Sequence, residues 1–448
     1  MATEHAETAS FAEAVDDFSL RRVPASARQG TWDIALVRMG LTVSASDLVF
    51  GYTIGLYFSF WNAILIALGY SLVVAIVSIL IGLIGQREGT SFALSSRYAF
   101  GREGSRLPSI VLALVIAGFY GYVLGITVDV LPGLNPVTEA VYSVVLGVLF
   151  LAIAGLGFDR GLKWVARLGV PLMIVLVLVA DGITITHAGG LGAIVGATPA
   201  QVGQMALPTI LGLGVAKWLT GAVVTPDLMR FGRSGWAVVS TTIAEFIVGN
   251  FGFNLLGLLL GLGLGASDLG RAFSLIGVTA LASVAFLIQS FTVEMNELYA
   301  ASLATSNALG VKRLVTNVVV GLVGIVIAYW GVSQGIINSF LGFIGYVSYA
   351  IPPMAGIMIA DYFIVQRMSY SAPVDSLLAV NWRAIVAFVA SVAISLYLGL
   401  ALQDQLWHSL PLIGFVAYVV VSIPQTVRAW RGEPIVSQPA PELVARGH

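Results

Sequence analysis

Asp47, Lys217 and Glu294 each stand inside a long apolar run. A lysine in such surroundings must be paired, deprotonated or turned toward water, and an isolated carboxylate is under the same constraint. Asp47 and Glu294 are the natural partners of Lys217. With both acids ionised the three carry net −1, a deficit that a proton or a metal cation would fill. Ser46, Gln289 and Thr292 add uncharged polar groups beside them. Phe119 and Tyr120 lie in the middle of another apolar run, and Trp218 follows Lys217 directly. A flat aromatic face next to a fixed charge suits the stacking of a planar solute with a polar edge. Two bland readings stand beside that one. Aromatic residues in an apolar run also serve as core packing, and Lys217 with one acid also serves as a purely structural ion pair.

Little else in the chain points to chemistry. With no cysteine, neither a disulfide framework nor a thiolate metal site is available. The four histidines, His5, His187, His408 and His448, are too scattered for a metal cluster. No HExxH pattern occurs, so an intramembrane enzyme has no motif to work with and no cofactor is expected. Gly257, Gly261 and Gly265 recur every four residues, which reads as close helix packing. No strand precedes them, as a dinucleotide cradle would require. Asp129 and Asp181 fall near the ends of apolar runs and read as solvated or capping. Glu245 is embedded without an obvious partner. Asp227 precedes Arg230 and Arg233 and suits a structural ion pair, and Asp361 suits either a latch or a structural role.

The elements that position these residues follow from composition. The chain has 448 residues, of which 58% are hydrophobic and 10% charged, with a mean hydropathy of +0.93. Soluble domains carry about 25% charged residues, so a soluble enzyme is excluded. A net charge of −1 argues against a nucleic-acid partner. Continuous apolar runs rather than alternating ones make this an all-α polytopic membrane protein with the lipid bilayer as its solvent. Twelve runs are expected to span, near 32–57, 61–85, 107–131, 137–157, 164–187, 204–229, 236–264, 274–303, 312–331, 335–364, 382–402 and 408–429. With the N-terminus placed in the cytoplasm, 19 of the 22 basic residues fall on the inner side, as the positive-inside rule requires. That implies the inner (cytoplasmic) membrane of a cell, with both termini inside. Residues 1–30 and 431–448 read as polar tails, 1–30 being disordered. Span 1 (Gly40-Leu41-Thr42-Val43-Ser44) and span 6 (Gly212-Leu213-Gly214-Val215) share a Gly-Leu-x-Val pattern that then turns polar. Both are expected to be broken helices, five spans apart, as in two inverted halves of a transporter.

Several runs resemble a known family. They are Val23-Pro24-Ala25-Ser26-Ala27-Arg28-Gln29-Gly30, Arg97-Tyr98-Ala99-Phe100-Gly101 with Leu107-Pro108-Ser109, Asp227-Leu228-Met229-Arg230-Phe231-Gly232-Arg233, Asn296-Glu297-Leu298-Tyr299-Ala300-Ala301, and Ile351-Pro352-Pro353 with Ile359-Ala360-Asp361-Tyr362. In order and on these spans, they resemble the nucleobase–cation symport family in its cytosine permease-like branch. The resemblance implies a LeuT-like core over 31–364, with inverted repeats of five helices (31–188 and 204–364). Two additional helices follow at 381–430. It implies a symporter that imports a small planar nitrogen heterocycle with H+ or Na+, and for which a monomer suffices. Phe119 and Trp218 match the two aromatic walls. Ile116, Lys217 and Gln289 fall where the branch has neutral polar groups that read cytosine's edge, and Glu294 falls where it has an asparagine. Asp47 and Ser46 line the same break. The family's sodium site maps onto Gly40, Val43, Thr292 and Val293, and Val293 lacks the side-chain oxygen that the site needs. A same-fold symporter for a non-aromatic amine or amino acid is the alternative.

Overall fold

The computed structural model describes residues 21–131, 133, 135–155, 161–311, 313–404 and 406–431. These residues are helical almost throughout, because a chain with no water around it must satisfy its backbone internally. The first half comprises α1 (Thr31–Thr42), α2 (Ala45–Tyr57), α3 (Phe60–Glu88), α4 (Phe92–Phe100), α5 (Arg106–Asp129), α6 (Pro136–Gly155), α7 (Gly161–His187) and the short α8 (Leu191–Val195). The second comprises α9 (Leu207–Met229), α10 (Gly235–Ile243), a π-helical segment (Ala244–Asn250), α11 (Phe251–Leu264), α12 (Leu269–Leu275), α13 (Thr279–Leu309), α14 (Arg313–Ser333) and α15 (Ile336–Ala360). Then come α16 (Trp382–Leu396), α17 (Leu412–Val421) and α18 (Ile423–Trp430). Eight helical segments among the described residues are long and apolar enough to cross a membrane. The pair α17–α18, bent by 72°, makes a ninth if counted as one span.

Two groups of helices hold the site between them. In one, α9 lies along α3 and α11 lies along α2. In the other, α13 and α14 both pack on α5, with α6 against α14 and α7 against α13. The α2–α11 contact is made by small residues. A Cβ on Gly51 would stand 2.2 Å from the Asn254 carbonyl, and one on Gly257 would stand 2.2 Å from the Leu48 carbonyl. Gly261 packs equally close on Tyr52. Gly265, the third of that series, acts differently, ending α11 in the left-handed conformation at φ +59°.

Of the two expected helix breaks, one is present. Span 1 divides between α1 and α2, where Val43 (ψ 70°) and Ser44 (φ −125°, ψ 153°) leave the helical region. Ser44 caps the second half by accepting from the Asp47 N–H at 3.3 Å. Span 6 is one continuous helix, α9, through Gly212, Gly214 and Lys217. The physical reason is local. Gly214 is followed by Val215 and Ala216, which offer no side chain to cap a new helix start, and Gly214 lies under the Tyr70 ring, where a Cβ would stand 2.6 Å from the nearest ring carbon.

Residues 21–30, expected within the disordered tail, are instead packed down. Val23 is buried, its N–H donates to the Gly89 carbonyl at 2.8 Å, and the Gln29 N–H donates to the Phe231 carbonyl at 2.6 Å. Arg22 pairs with Glu88 at 3.1 Å, donates to the Tyr98 hydroxyl at 2.9 Å and donates to the Tyr370 carbonyl. Tyr98 and Tyr370 stack at 4.1 Å, and the Tyr362 hydroxyl donates to Glu88 at 2.9 Å. The expected tails at 1–20 and 432–448 lie outside the described residues.

Candidate functional site

Asp47 is the centre of the arrangement. It sits in the first turn of α2, three residues after the helix break, and is fully buried. Its Oδ1 accepts from the Lys217 ammonium, from the Trp218 indole N–H at 2.8 Å and from the Asn250 amide at 2.7 Å. Its Oδ2 accepts from the Ser44 hydroxyl at 2.8 Å. Ser46 lies one step away, its hydroxyl 3.0 Å from that of Ser44. Four donors around one carboxylate compensate for its removal from water. The Lys217 ammonium, also buried, lies 5.4 Å from the centre of the Phe50 ring and 5.3 Å from that of Trp218. An ammonium caged by aromatic faces gains cation–π attraction as well as its ion pair.

The expected cluster of three charges is not formed. Lys217 takes Asp47, and Glu294 lies apart from both on α13. Its oxygens are buried and without hydrogen-bond partners among the described residues. Its electrostatic neighbour is Glu297, one turn further along α13. Position along a span set the depth of these acids, but it did not set the face of the helix on which each would lie.

Gln289 is drawn to the helix break, where its side-chain amide donates to the Val43 carbonyl that the break leaves free. Val43 thus spends on a protein donor the oxygen expected to coordinate sodium. Val293 is buried and supplies no side-chain oxygen. Gly40 lies in the last part of α1, and the Thr292 side chain lies outside what is described. No group of three or more carboxylates or histidines able to hold a metal occurs among the described residues.

The aromatic candidates differ in their surroundings. Trp218 is half-buried, oriented by its bond to Asp47 and by an edge-on contact with Phe246 at 5.4 Å. Phe119 is buried in the core, edge-on to Phe343 at 5.2 Å and to Phe340 at 6.3 Å. Ile116, almost one turn earlier on α5, is buried.

Two features escaped the sequence. One is Asn250, which ties Asp47 to Ser71 on α3 by accepting from the Ser71 hydroxyl at 2.8 Å. The other is the partner of Glu245: Arg38, fully buried in α1, pairs with it and also donates to Ser78 and Thr242 at 3.2 Å each. Glu245 and Asn250 both belong to the π-helical segment, so this one segment grips α1 through Arg38 and α2 through Asp47. Extra turns of this kind often mark functional positions. A signal for the ion pair was present, since two embedded charges of opposite sign require partners. Asp181 departs from expectation too: it is buried, with neither oxygen hydrogen-bonded among the described residues. The Asp227 carboxylate accepts from the Phe92 N–H at 2.8 Å and so caps α4. Asp361 accepts from the Tyr418 hydroxyl at 2.7 Å and joins the end of α15 to α17.

Residues 22–421 match the family model described as permease for cytosine/purines, uracil, thiamine, allantoin. The chain is 28% identical over 380 residues to the cytosine permease of Escherichia coli (strain K12), covering 84% of this chain and 88% of that one. It is 24% identical over 413 residues to the purine-uracil permease NCS1 of Arabidopsis thaliana, covering 81% and 66%. Its fold is similar to that of Mhp1, a nucleobase-cation-symport-1 family transporter, in a closed conformation with bromovinylhydantoin bound. That match has a TM-score of 0.75, 18% identity and coverage of 94% and 97%. A Na+-coupled sialic acid symporter is similar at a TM-score of 0.65 and 15% identity, covering 95% and 96%.

Proposed function

This chain belongs to the family of permeases for cytosine/purines, uracil, thiamine and allantoin, and on that footing we propose that it imports a small planar nitrogen heterocycle together with a cation. It is a multi-pass membrane transporter and not an enzyme, as its relatives are permeases. Twelve spans in a five-plus-five inverted repeat with two further helices, and both termini in the cytoplasm, complete the reading. The observation that carries the solute assignment is the Asp47 hub. One buried carboxylate fixes an aromatic face, Trp218, and a caged ammonium, Lys217, beside the same helix break.

Trp218 serves as one wall and Phe119 as the other, a pairing that suits a flat ring because both faces gain contact at little ordering cost. Lys217 has more N–H groups than Asp47 uses and directs one at an acceptor or negative edge of the solute. Ile116 borders the ring with apolar surface. Asp47 already accepts from four donors, so the carboxylate beside Trp218 is taken up within the protein, which favours the heterocycle over an amine or amino acid. Cytosine presents the wrong edge to an ammonium on its amino side, so the preferred ring carries carbonyl acceptors there.

A thermal-shift panel on the purified protein tests this, because a ligand that binds only the folded state stabilises it by mass action, by about 2.7 kcal/mol at a hundredfold excess over Kd, and so raises Tm. Carbonyl-rich planar heterocycles are expected to raise Tm while aliphatic amines and amino acids leave it unchanged. The reverse pattern overturns the solute assignment.

A further inference from the structure

We propose that Glu294 and Glu297 form a proton-binding site, separate from the Asp47–Lys217 pair, through which the transporter is coupled to the proton gradient. This rests on the symport reading above and names its cation. The two glutamates are three residues apart on α13 and so share a face of that helix. Glu294 is fully buried, and neither of its oxygens has a hydrogen-bond partner among the described residues; the same holds for Oε2 of Glu297. A buried ionised carboxylate with no donor is among the costliest groups a protein can hold, and two side by side cannot both stay charged.

Among the elements packed against α13, α4 carries Arg97, whose acidic neighbours are Glu103 and Asp375; the other described side chains bring the pair no compensating charge. From α5 comes Tyr120, within electrostatic reach of both acids, but its hydroxyl donates to the Gly147 carbonyl of α6 at 3.1 Å. The contact from α6 is apolar, Phe150 edge-on to Phe291 at 5.5 Å, and α14 adds the buried Val320. On α7, Gly169 faces Gln289. Asp47 on α2 is held in its own ion pair. Asp181 on α7 is likewise buried without a hydrogen bond, but no second carboxyl stands by to share a proton. Two carboxyls with no third ligand suit a proton better than a metal ion.

One proton on the pair leaves a single charge shared between neighbouring carboxyls. A second proton removes that charge, and the loaded protein changes state with nothing ionised at this position. Release of the second proton to the other side resets the pair. One proton therefore moves per cycle.

Two readouts test the site. Infrared difference spectra of the wild type across a pH step are expected to show a carboxylic-acid carbonyl band, lost in Glu294→Gln and in Glu297→Gln. Glu294→Asp, which keeps the acid, should shift the midpoint of that band even if the glutamine variant fails to fold. In proteoliposomes, an inward pH gradient alone should drive accumulation of a heterocycle in the wild type, and in either glutamine variant the inside level should fall to simple equilibration. A carbonyl band unchanged in both glutamine variants overturns the proposal. So does accumulation driven by a sodium gradient at equal pH with none driven by pH. A wild type that exchanges no heterocycle at all contradicts the symport reading instead, and the infrared titration then still decides the proton site.

Discussion

At Asp47 the ion pair, the indole bond and the helix cap converge on one carboxyl group, so the effects of substituting its partners will not add. Breaking a buried ion pair from one side leaves an uncompensated charge and costs roughly 3–5 kcal/mol, whereas neutralising both sides is far milder. Lys217→Met is therefore expected to lower Tm sharply, and adding Asp47→Asn to it should restore part of the loss. A double variant no more stable than Lys217→Met contradicts the pairing. Trp218 carries a separate expectation. Loss of a stacked aromatic from a base costs about 1–3 kcal/mol, so Trp218→Ala and Phe119→Ala should each weaken heterocycle binding by that amount, measured by calorimetry on folded protein. Near-normal affinity in Phe119→Ala would assign Phe119 to core packing beside Phe343 and leave Trp218 as the only wall. That Lys217 needed an acid was legible in the sequence, because a charge in an apolar run has few ways to exist. Which acid it takes was not, because that depends on the rotation of each helix about its own axis.

The broken helix shows how far local chemistry reaches at the scale of elements. The break in span 1 was expected from a glycine pattern that turns polar, and Ser44 is the residue that realises it, since a hydroxyl three residues before Asp47 caps a new start. The similar glycine pattern in span 6 lacked such a residue, and α9 runs through. Ser44→Ala should cost about 1 kcal/mol, the usual loss for an N-cap, and should loosen Asp47 as well; a wild-type Tm in that variant counts against the cap. Glycines on different elements should respond in opposite ways. Gly51→Ala places a Cβ against the Asn254 backbone and should destabilise strongly, while nothing lies within 4 Å of a Cβ on Gly182. Gly182→Ala should be neutral or stabilise by about 0.4–1 kcal/mol. Equal effects of the two would mean that α2 and α11 are not packed on their glycines. The π-helical grip on both halves of span 1 was not legible, because an extra residue in a helical turn leaves no mark in apolar periodicity.

For the whole molecule, composition alone settled the class, and the spacing of apolar runs located most of the helices. The folded strap at 21–30 was missed because its sequence is polar and short, and its order comes from backbone bonds to Gly89 and Phe231 and from Arg22 on Glu88. The proposed orientation has a direct check, since a chain without cysteine needs no background removed. A membrane-impermeant thiol reagent applied from outside should label Thr198→Cys and spare Ser371→Cys; the opposite pattern inverts the topology. The central claim, that this permease couples a planar heterocycle to a cation gradient, is tested most directly by steady-state uptake of a labelled heterocycle into proteoliposomes of the purified protein. Accumulation above the outside concentration is expected under an inward cation gradient, collapsing when an ionophore dissipates that gradient. Uptake that only equilibrates under both proton and sodium gradients would contradict it.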